Sequence, residues 1–208
     1  MNVIGLDFEA AQSNPSINTW NTHYMEPIQV GMYSYFNKES FESTIKSVVH
    51  LSDFHKKKTP HLTQEVINNS PSNCDVAEKM TQFFKRNCKD GCIVATYGQS
   101  DYKWLMQMYF GCKDKRKDLN IIQHDVYQAA KFDENKINLK IVDVNDLVNI
   151  KYPLFKNPTL SNIYKKVTGK ELEGNHDALA DAKAVAKIFD DDFSTGGRVL
   201  KIWKFVKE

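Results

Sequence analysis

The stretch VIGLDFE, Val3–Glu9, decides what kind of fold the chain can adopt. Its alternation has period two. Ile4, Leu6 and Phe8 share one face, while Val3, Gly5, Asp7 and Glu9 share the other. This is a β-strand with two carboxylates on the same side. In a strand the Cα atoms of Asp7 and Glu9 stand about 6.5–7 Å apart, so both side chains can lean toward one cation. Two such charges brought to about 4 Å cost roughly 4 kcal/mol at an effective dielectric of about 20. Something positive must offset that cost if they converge. On this motif alone, a solvated strand end with two harmless acids is the preferred reading.

Further strands are expected over Ile28–Tyr35, Thr44–Leu51 and Gly91–Tyr97, with a weaker one near Leu139–Val142. Helices are expected over Asp75–Asn87, Asp101–Tyr109, Val144–Ile150, Leu160–Val167 and Asp177–Phe189. Asn68–Asn73 and the lysine-rich Cys112–Asp118 read as loops. Strands come early and helices alternate later. That order predicts an α/β fold, one domain with a mixed β-sheet flanked by α-helices. The 208 residues suffice for one sizeable core and are short for two. The tail from Gly196 to Glu208 spaces Val199, Ile202, Trp203 and Val206 as a closing helix would.

Composition narrows the function classes. Hydrophobic residues make up 41% and charged residues 26%, as in a globular protein, and 12% aromatic content excludes disorder as the main state. No apolar run approaches about 18 residues, so neither a membrane span nor a membrane partner is expected. The start, MNVIGLDFEAA, lacks a basic segment and sets Asp7 and Glu9 within the apolar stretch. No signal peptide is expected there, and the expected compartment is the cytoplasm. A formal charge of +2 neither demands nor forbids a polyanionic partner. Cys74, Cys88, Cys92 and Cys112 lack the paired CxxC knuckles of a zinc site, and buried free thiols are the expectation.

Two further acids lie on apolar faces. Gly98 ends the run IVATY, and Ser100 is placed to cap the helix that follows. Asp101, Trp104, Leu105 and Met108 then fall at i, i+3, i+4 and i+7. An acid in a first helical turn suits the macrodipole, but that effect does not require it to face the core. Asp181 is the stronger case. It lies three residues after Ala178 and four before Val185, inside the stripe Ala178, Ala182, Val185, Ala186 and Phe189. A buried, unpaired carboxylate is costly, so Asp181 must meet a metal, a cation or a set of donors. Asp177 is most simply the helix cap. His176, about 140° around an ideal helix from Asp181, is expected just before the helix, arching over the site.

Asp7, Glu9, Asp101 and Asp181, with His176, call for hard divalent cations, and oxygen ligands suit Mg²⁺ or Mn²⁺. Two such ions about 3.5–4 Å apart can clamp the attacking and leaving oxygens of a phosphodiester displacement. A histidine of ordinary pKa near about 6.5 can take the proton from the attacking water.

The segments LDFEA (Leu6–Ala10), YGQSDYKWL (Tyr97–Leu105) and NHDALADAKA (Asn175–Ala184) resemble the DEDDh-type 3′–5′ exonucleases of the DnaQ-like, ribonuclease H-like superfamily. IQVGM (Ile28–Met32) is similar to that family's second strand, and His176 and Asp181 have the H-x4-D spacing of its histidine subclass. The resemblance spans roughly residues 1–190, leaving 191–208 as a helical C-terminal extension. It implies a single ribonuclease H-like domain in which Asp7, Glu9, Asp101 and Asp181 hold two metal ions and His176 is the general base. It also implies release of nucleoside 5′-monophosphates from 3′ ends of single-stranded DNA or RNA. Phe8 and Ala10 would help form the pocket for the terminal nucleotide. Ala10 stands where many relatives carry Thr, and Gly98–Gln99 replaces an Asn frequent in proofreading subunits.

Three lysine clusters are candidates for phosphate contacts: Lys56–Lys58, Lys113/Lys115/Arg116/Lys117 and Lys165–Lys166. Among the aromatics Trp20, Tyr24, Tyr102 and Trp104, the stripe assigns Trp104 to the core and leaves Tyr102 as the better candidate to bind substrate by stacking on a base. The other histidines carry no assigned role. Two other functions compete. His124–Asp125 and His176–Asp177 allow an HD-type metal phosphohydrolase acting on nucleotides. Its all-helical fold disagrees with the first strand and leaves Asp181 unexplained. A non-catalytic nucleic-acid-binding module on the exonuclease fold is the other, although none of the five positions is substituted.

Overall fold

The strand carrying Asp7 and Glu9 lies inside the sheet, bonded on both sides. In this computed structural model, which describes residues 2–12, 25–89, 91–112, 114, 117–123, 135–156 and 158–194, β1 (Asn2–Gln12) pairs antiparallel with β2 (Met25–Ser34) and parallel with β4 (Cys92–Thr96). β3 (Glu39–Thr44) extends the sheet beyond β2, antiparallel to it. On the other side β6 (Ile137–Asp143) and β5 (Leu119–Gln123) continue parallel, giving the order β3-β2-β1-β4-β6-β5. The sheet is mixed, as the element order requires.

The two faces of β1 separate as its alternation predicts. Ile4, Leu6, Phe8 and Ala10 enter a core with α3 (Asn73–Asn87) and α4 (Gln99–Gly111). Val3 enters a second core on the opposite face, with α5 (Val144–Lys151), α6 (Leu160–Thr168) and α7 (Ala178–Ile188). A π-helical turn, Phe189–Ser194, closes this layer through Phe189 and Phe193.

Helix α7 lies against the sheet at main-chain contact. A Cβ on Gly5 would stand 1.8 Å from the Ala182 carbonyl oxygen, and one on Gly31 would stand 2.2 Å from the Ala178 main chain. Only glycine permits this approach. On the helix side, alanines at 178, 182 and 186 are fully buried. Asp181 is thereby carried in over β1.

Several expectations are corrected. The strand expected over Thr44–Leu51 lies earlier, at Glu39–Thr44. Ile45, Val49 and Leu51 are buried in alternation there, but the backbone has left the ladder: Lys46 N–H donates to Pro71 C=O at 2.8 Å. Period two reports which side chains are buried, not which backbone is paired. Two short helices, α1 (Asp53–Lys58) and α2 (Gln64–Asn68), were not expected, being too short to show a helical repeat. Strand β5, which begins directly after the expected loop Cys112–Asp118, was not expected. Ser100 does not cap α4, whose N-cap is Gly98 at φ 116°. The cysteines are not free thiols: Cys74 pairs with Cys112 and Cys88 with Cys92. α3 and α4 pack together, which brings Cys74 in the first turn of one helix to the residue just past the other. The tail from Gly196, the His124–Asp125 dipeptide, Trp20, Tyr24, Lys113, Lys115 and Arg116 lie outside the described residues.

Candidate active site

The C-terminal half of β1, the start of α4 and the loop entering α7 converge on a cleft of about 550 Å³. Asp7, Glu9, Asp101, His176 and Asp181 all line it, as do Phe8 and Ala10. A register shift between Glu9 and Ala10 on the β2 side bends the strand where the acids are presented.

Each acid is aimed by local structure. Asp101, 4% exposed in the first turn of α4, accepts the Phe8 N–H at 3.1 Å. That bond ties α4 to β1 between the two strand acids. Asp177 caps α7 by accepting the Ala180 N–H at 3.0 Å, as expected. Before it, Gly174 at φ 72° and His176 at φ 70° turn the chain back over the cleft. A left-handed conformation costs a non-glycine residue about 1–2 kcal/mol, so the turn around His176 must be held by its surroundings. One restraint is visible: the His176 main-chain N–H donates to Asp181 Oδ2 at 3.2 Å. The Asn175 amide lies 3.1 Å from His176 Nε2 and is placed to donate to it, which favours the tautomer whose Nε2 lone pair is an acceptor.

The electrostatics follow from crowding. Burial lifts the Asp7 carboxyl well above the usual range, and Asp101, Asp181 and Glu9 push it further. Burial is also the main cause at Asp101 (well above its ordinary value), at Glu9 (about 7) and at Asp181 (about 6). Hydrogen bonding from Phe8 and His176 opposes the rise at Asp101 and Asp181 respectively. His176 is lowered, by burial and then by Lys58, and is therefore neutral near pH 7.

This donor set fits divalent cations. Ligand atoms of Glu9, His176 and Asp181 lie within 4.8 Å of one another. Among the described residues Asp181 Oδ1 is buried with no hydrogen-bond partner, although a carboxylate oxygen in such a place needs a donor or a cation. Asp7 and Asp101 complete an oxygen-rich lining suited to hard ions.

A stability prediction arises here. These carboxyls have folded-state pKa values above their unfolded ones, so the folded chain binds more protons than the unfolded chain between about pH 4 and about pH 7. Without metal, their contribution is fully present below about pH 4 and drains as pH rises toward about 7. For Glu9 alone, a rise from 4.5 to about 7 corresponds to about 3 kcal/mol. Thermal melts in chelator should show the wild type losing stability over this window relative to Asp7→Asn, with Mn²⁺ restoring it at neutral pH. A metal-free Asp7→Asn less stable than metal-free wild type at neutral pH would contradict the crowding.

One substrate-site expectation is corrected. Tyr102 does not line the cleft; it packs half-buried against the α3–α4 core. Trp104, assigned to the core by its stripe, is 8% exposed and also lines the cleft, its ring edge-on to Phe8 at 6.4 Å. The stripe runs out at the cleft wall, so a residue there serves both. Lys58, His55, Phe54 and the start of α6 also line the cleft and were not singled out as cleft residues. The Tyr97 hydroxyl donates to Pro158 C=O, fastening the end of β4 to the segment that enters α6.

Residues 4–189 match the sequence model of the RNase T family, described as exonucleases. A search of curated proteins by sequence finds no match. Among solved structures the fold is similar to S. pombe Pop2p in its Mg²⁺- and Mn²⁺-bound form, with TM-score 0.57 and 11% identity over 96% of this chain and 84% of that one. It is also similar to the Neurospora crassa Pan2 catalytic unit, which comprises a protease and a nuclease domain, with TM-score 0.54 and 13% identity. That match covers 100% of this chain and 30% of Pan2. At such identities the likeness is one of fold, and the mixed sheet excludes the all-helical HD alternative. The family match runs from β1 through α7 and so contains all five cleft residues: the chain belongs to the RNase T family of exonucleases.

Proposed function

We propose that this exonuclease removes nucleotides stepwise from the 3′ end of single-stranded DNA or RNA, releasing nucleoside 5′-monophosphates. The observation that carries the reading is the convergence of Glu9, His176 and Asp181 donor atoms within 4.8 Å, beside Asp7 and Asp101. Asp7, Glu9, Asp101 and Asp181 hold two divalent ions, Mg²⁺ or Mn²⁺, the ions bound in the Pop2p structure. When bound there, such ions would polarise the phosphodiester and the attacking water. His176, neutral near pH 7, accepts the proton of that water, with the Asn175 amide that meets Nε2 giving way to it. Phe8 and Ala10 form the seat of the terminal nucleotide. The catalytic domain spans residues 1–190, with 191–208 an extension.

The test is incubation with 3′- or 5′-labelled single strands of DNA and RNA, with Mg²⁺ or Mn²⁺. Stepwise shortening from the 3′ end, abolished by chelator, is the expected result. A strand that is retained and shifted in mobility, but never shortened, would identify a binding module instead. Among the described residues, no helix is long and apolar enough to cross a membrane. The cytoplasm is the compartment we propose, and the cysteine pairs make that testable. In a reducing cytoplasm both bridges, Cys74–Cys112 and Cys88–Cys92, should open, and alkylation of rapidly quenched cells should label all four cysteines. Persistent bridges would place the chain in an oxidising compartment.

A further inference from the structure

Of the three consecutive lysines at the end of α1, only one enters the cleft. Lys56 pairs with Asp53 at 3.2 Å on the surface. Lys58 is the one lysine or arginine among the described cleft-lining residues. It has no ion pair within 4 Å among the described residues. Its charge instead acts at longer range on Asp7, Glu9, Asp181, His55 and His176.

The helix that carries Lys58 is anchored to the site. His55, three residues earlier and so on the same helical face, is 8% exposed. Its ring donates to the Ala10 main-chain carbonyl, and its Nδ1 lies 2.8 Å from Ser52 Oγ, the cap of α1. Thr59 N–H and Oγ1 both donate to the His55 carbonyl, at 2.7 and 2.9 Å, closing the helix just beyond Lys58. A six-residue helix could not hold such a position unaided. Tethered next to Glu9, it points its last side chain over the acids.

Charge balance indicates what that side chain is for. Four carboxylates and two divalent cations cancel. An incoming phosphodiester then brings one uncompensated negative charge, and Lys58 is the one lysine or arginine among the described lining residues to meet it. A compact ammonium on a four-carbon stem can swing between the acids and a phosphate oxygen. Phe54, 52% exposed on the same helix, lines the cleft beside it.

We propose that Lys58 is a substrate-positioning residue: it rests over the acids in the metal-free cleft and turns to a non-bridging oxygen of the strand's backbone phosphate when ions and substrate are bound. The inference rests on the exonuclease reading above and adds to it the contact that holds the strand.

Three chains decide it: wild type, Lys58→Met and Lys58→Arg, each checked for an unchanged melt in Mn²⁺. Lys58→Met should raise KM for a single strand about tenfold or more, the loss expected for one charge-assisted hydrogen bond, with kcat changed far less. The slope of log KM against log salt should fall by about 0.7, one phosphate contact on a single strand. Mn²⁺ titrated without nucleic acid should bind Lys58→Met more tightly, because a competing cation has gone. Lys58→Arg should recover most of KM and the slope. Tighter Mn²⁺ binding with KM and slope unchanged would show that Lys58 only offsets the acids, and would overturn the proposal. A wild type that binds Mn²⁺ but shortens no strand overturns the exonuclease reading, and this inference with it.

Discussion

Asp181→Asn should slow strand degradation by about 10³-fold or more at saturating Mg²⁺ or Mn²⁺, while the chain stays folded. The substitution is isosteric, and an amide oxygen can still accept the His176 N–H that Asp181 Oδ2 now accepts at 3.2 Å. What is lost is the negative charge and the second acceptor. Oδ1 is buried and unpartnered, and in the variant that place is filled by an NH₂ group that repels cations. A metal ion contributes several kcal/mol to a phosphoryl-transfer transition state, and each 1.36 kcal/mol is tenfold in rate. Losing one buried ligand from a small set therefore costs orders of magnitude. In chelator the same variant should melt higher than wild type near neutral pH, because a carboxyl with pKa about 6 no longer has to ionise among its neighbours. Single-turnover rates and metal-free melts check both halves. Wild-type turnover by Asp181→Asn would remove the residue from the site.

His176→Ala should lower the chemical step by about 10²–10⁴-fold and leave strand binding nearly unchanged, as loss of a general base does. The ring lies among Glu9 and Asp181 donor atoms, and burial keeps it neutral and able to accept a proton. At saturating metal, which keeps the carboxyls ionised, the wild-type rate should therefore have an acidic limb below the ordinary histidine value that the variant lacks. A control is needed because His176 sits at φ 70°, and its main-chain N–H restrains Asp181. Asn tolerates that conformation, so His176→Asn keeps the turn and removes the base. Equal loss in both variants assigns the effect to the imidazole. Loss in Ala alone assigns it to the turn.

The acids of this cleft were legible because burial and charge conflict in the sequence itself. Asp181 interrupts an alanine stripe, and Asp101 leads an apolar one. Asp7 and Glu9 share a strand face with Gly5, where α7 docks. Asp177 was readable as a cap for the same local reason. The rest depends on contacts between distant segments. Lys58 looks like any surface lysine until His55 is seen tethered to Ala10. Trp104 lines the cleft as well as the core, and Tyr102 does not, because a helical wheel locates the core but not the cavity at its margin. Beyond Ile45, whose N–H still bonds to Ile28 in β2, the segment after β3 buries every second residue without joining the ladder, and periodicity does not separate those two cases. The Cys74–Cys112 pairing follows from how α3 meets α4, which no spacing along the chain records.

The bare main chain at Gly5 and Gly31 has a consequence for anyone engineering this protein. Replacing glycine with alanine is a standard route to thermal stability, because it stiffens the unfolded chain. Here a single added methyl would wedge α7 away from the strand it rests on. Asp181 would be lifted from Asp7 and Glu9 on a lever one helical turn long. A stabilised variant made that way would trade its chemistry for its melting point, and screening by thermal shift alone would select the wrong clones.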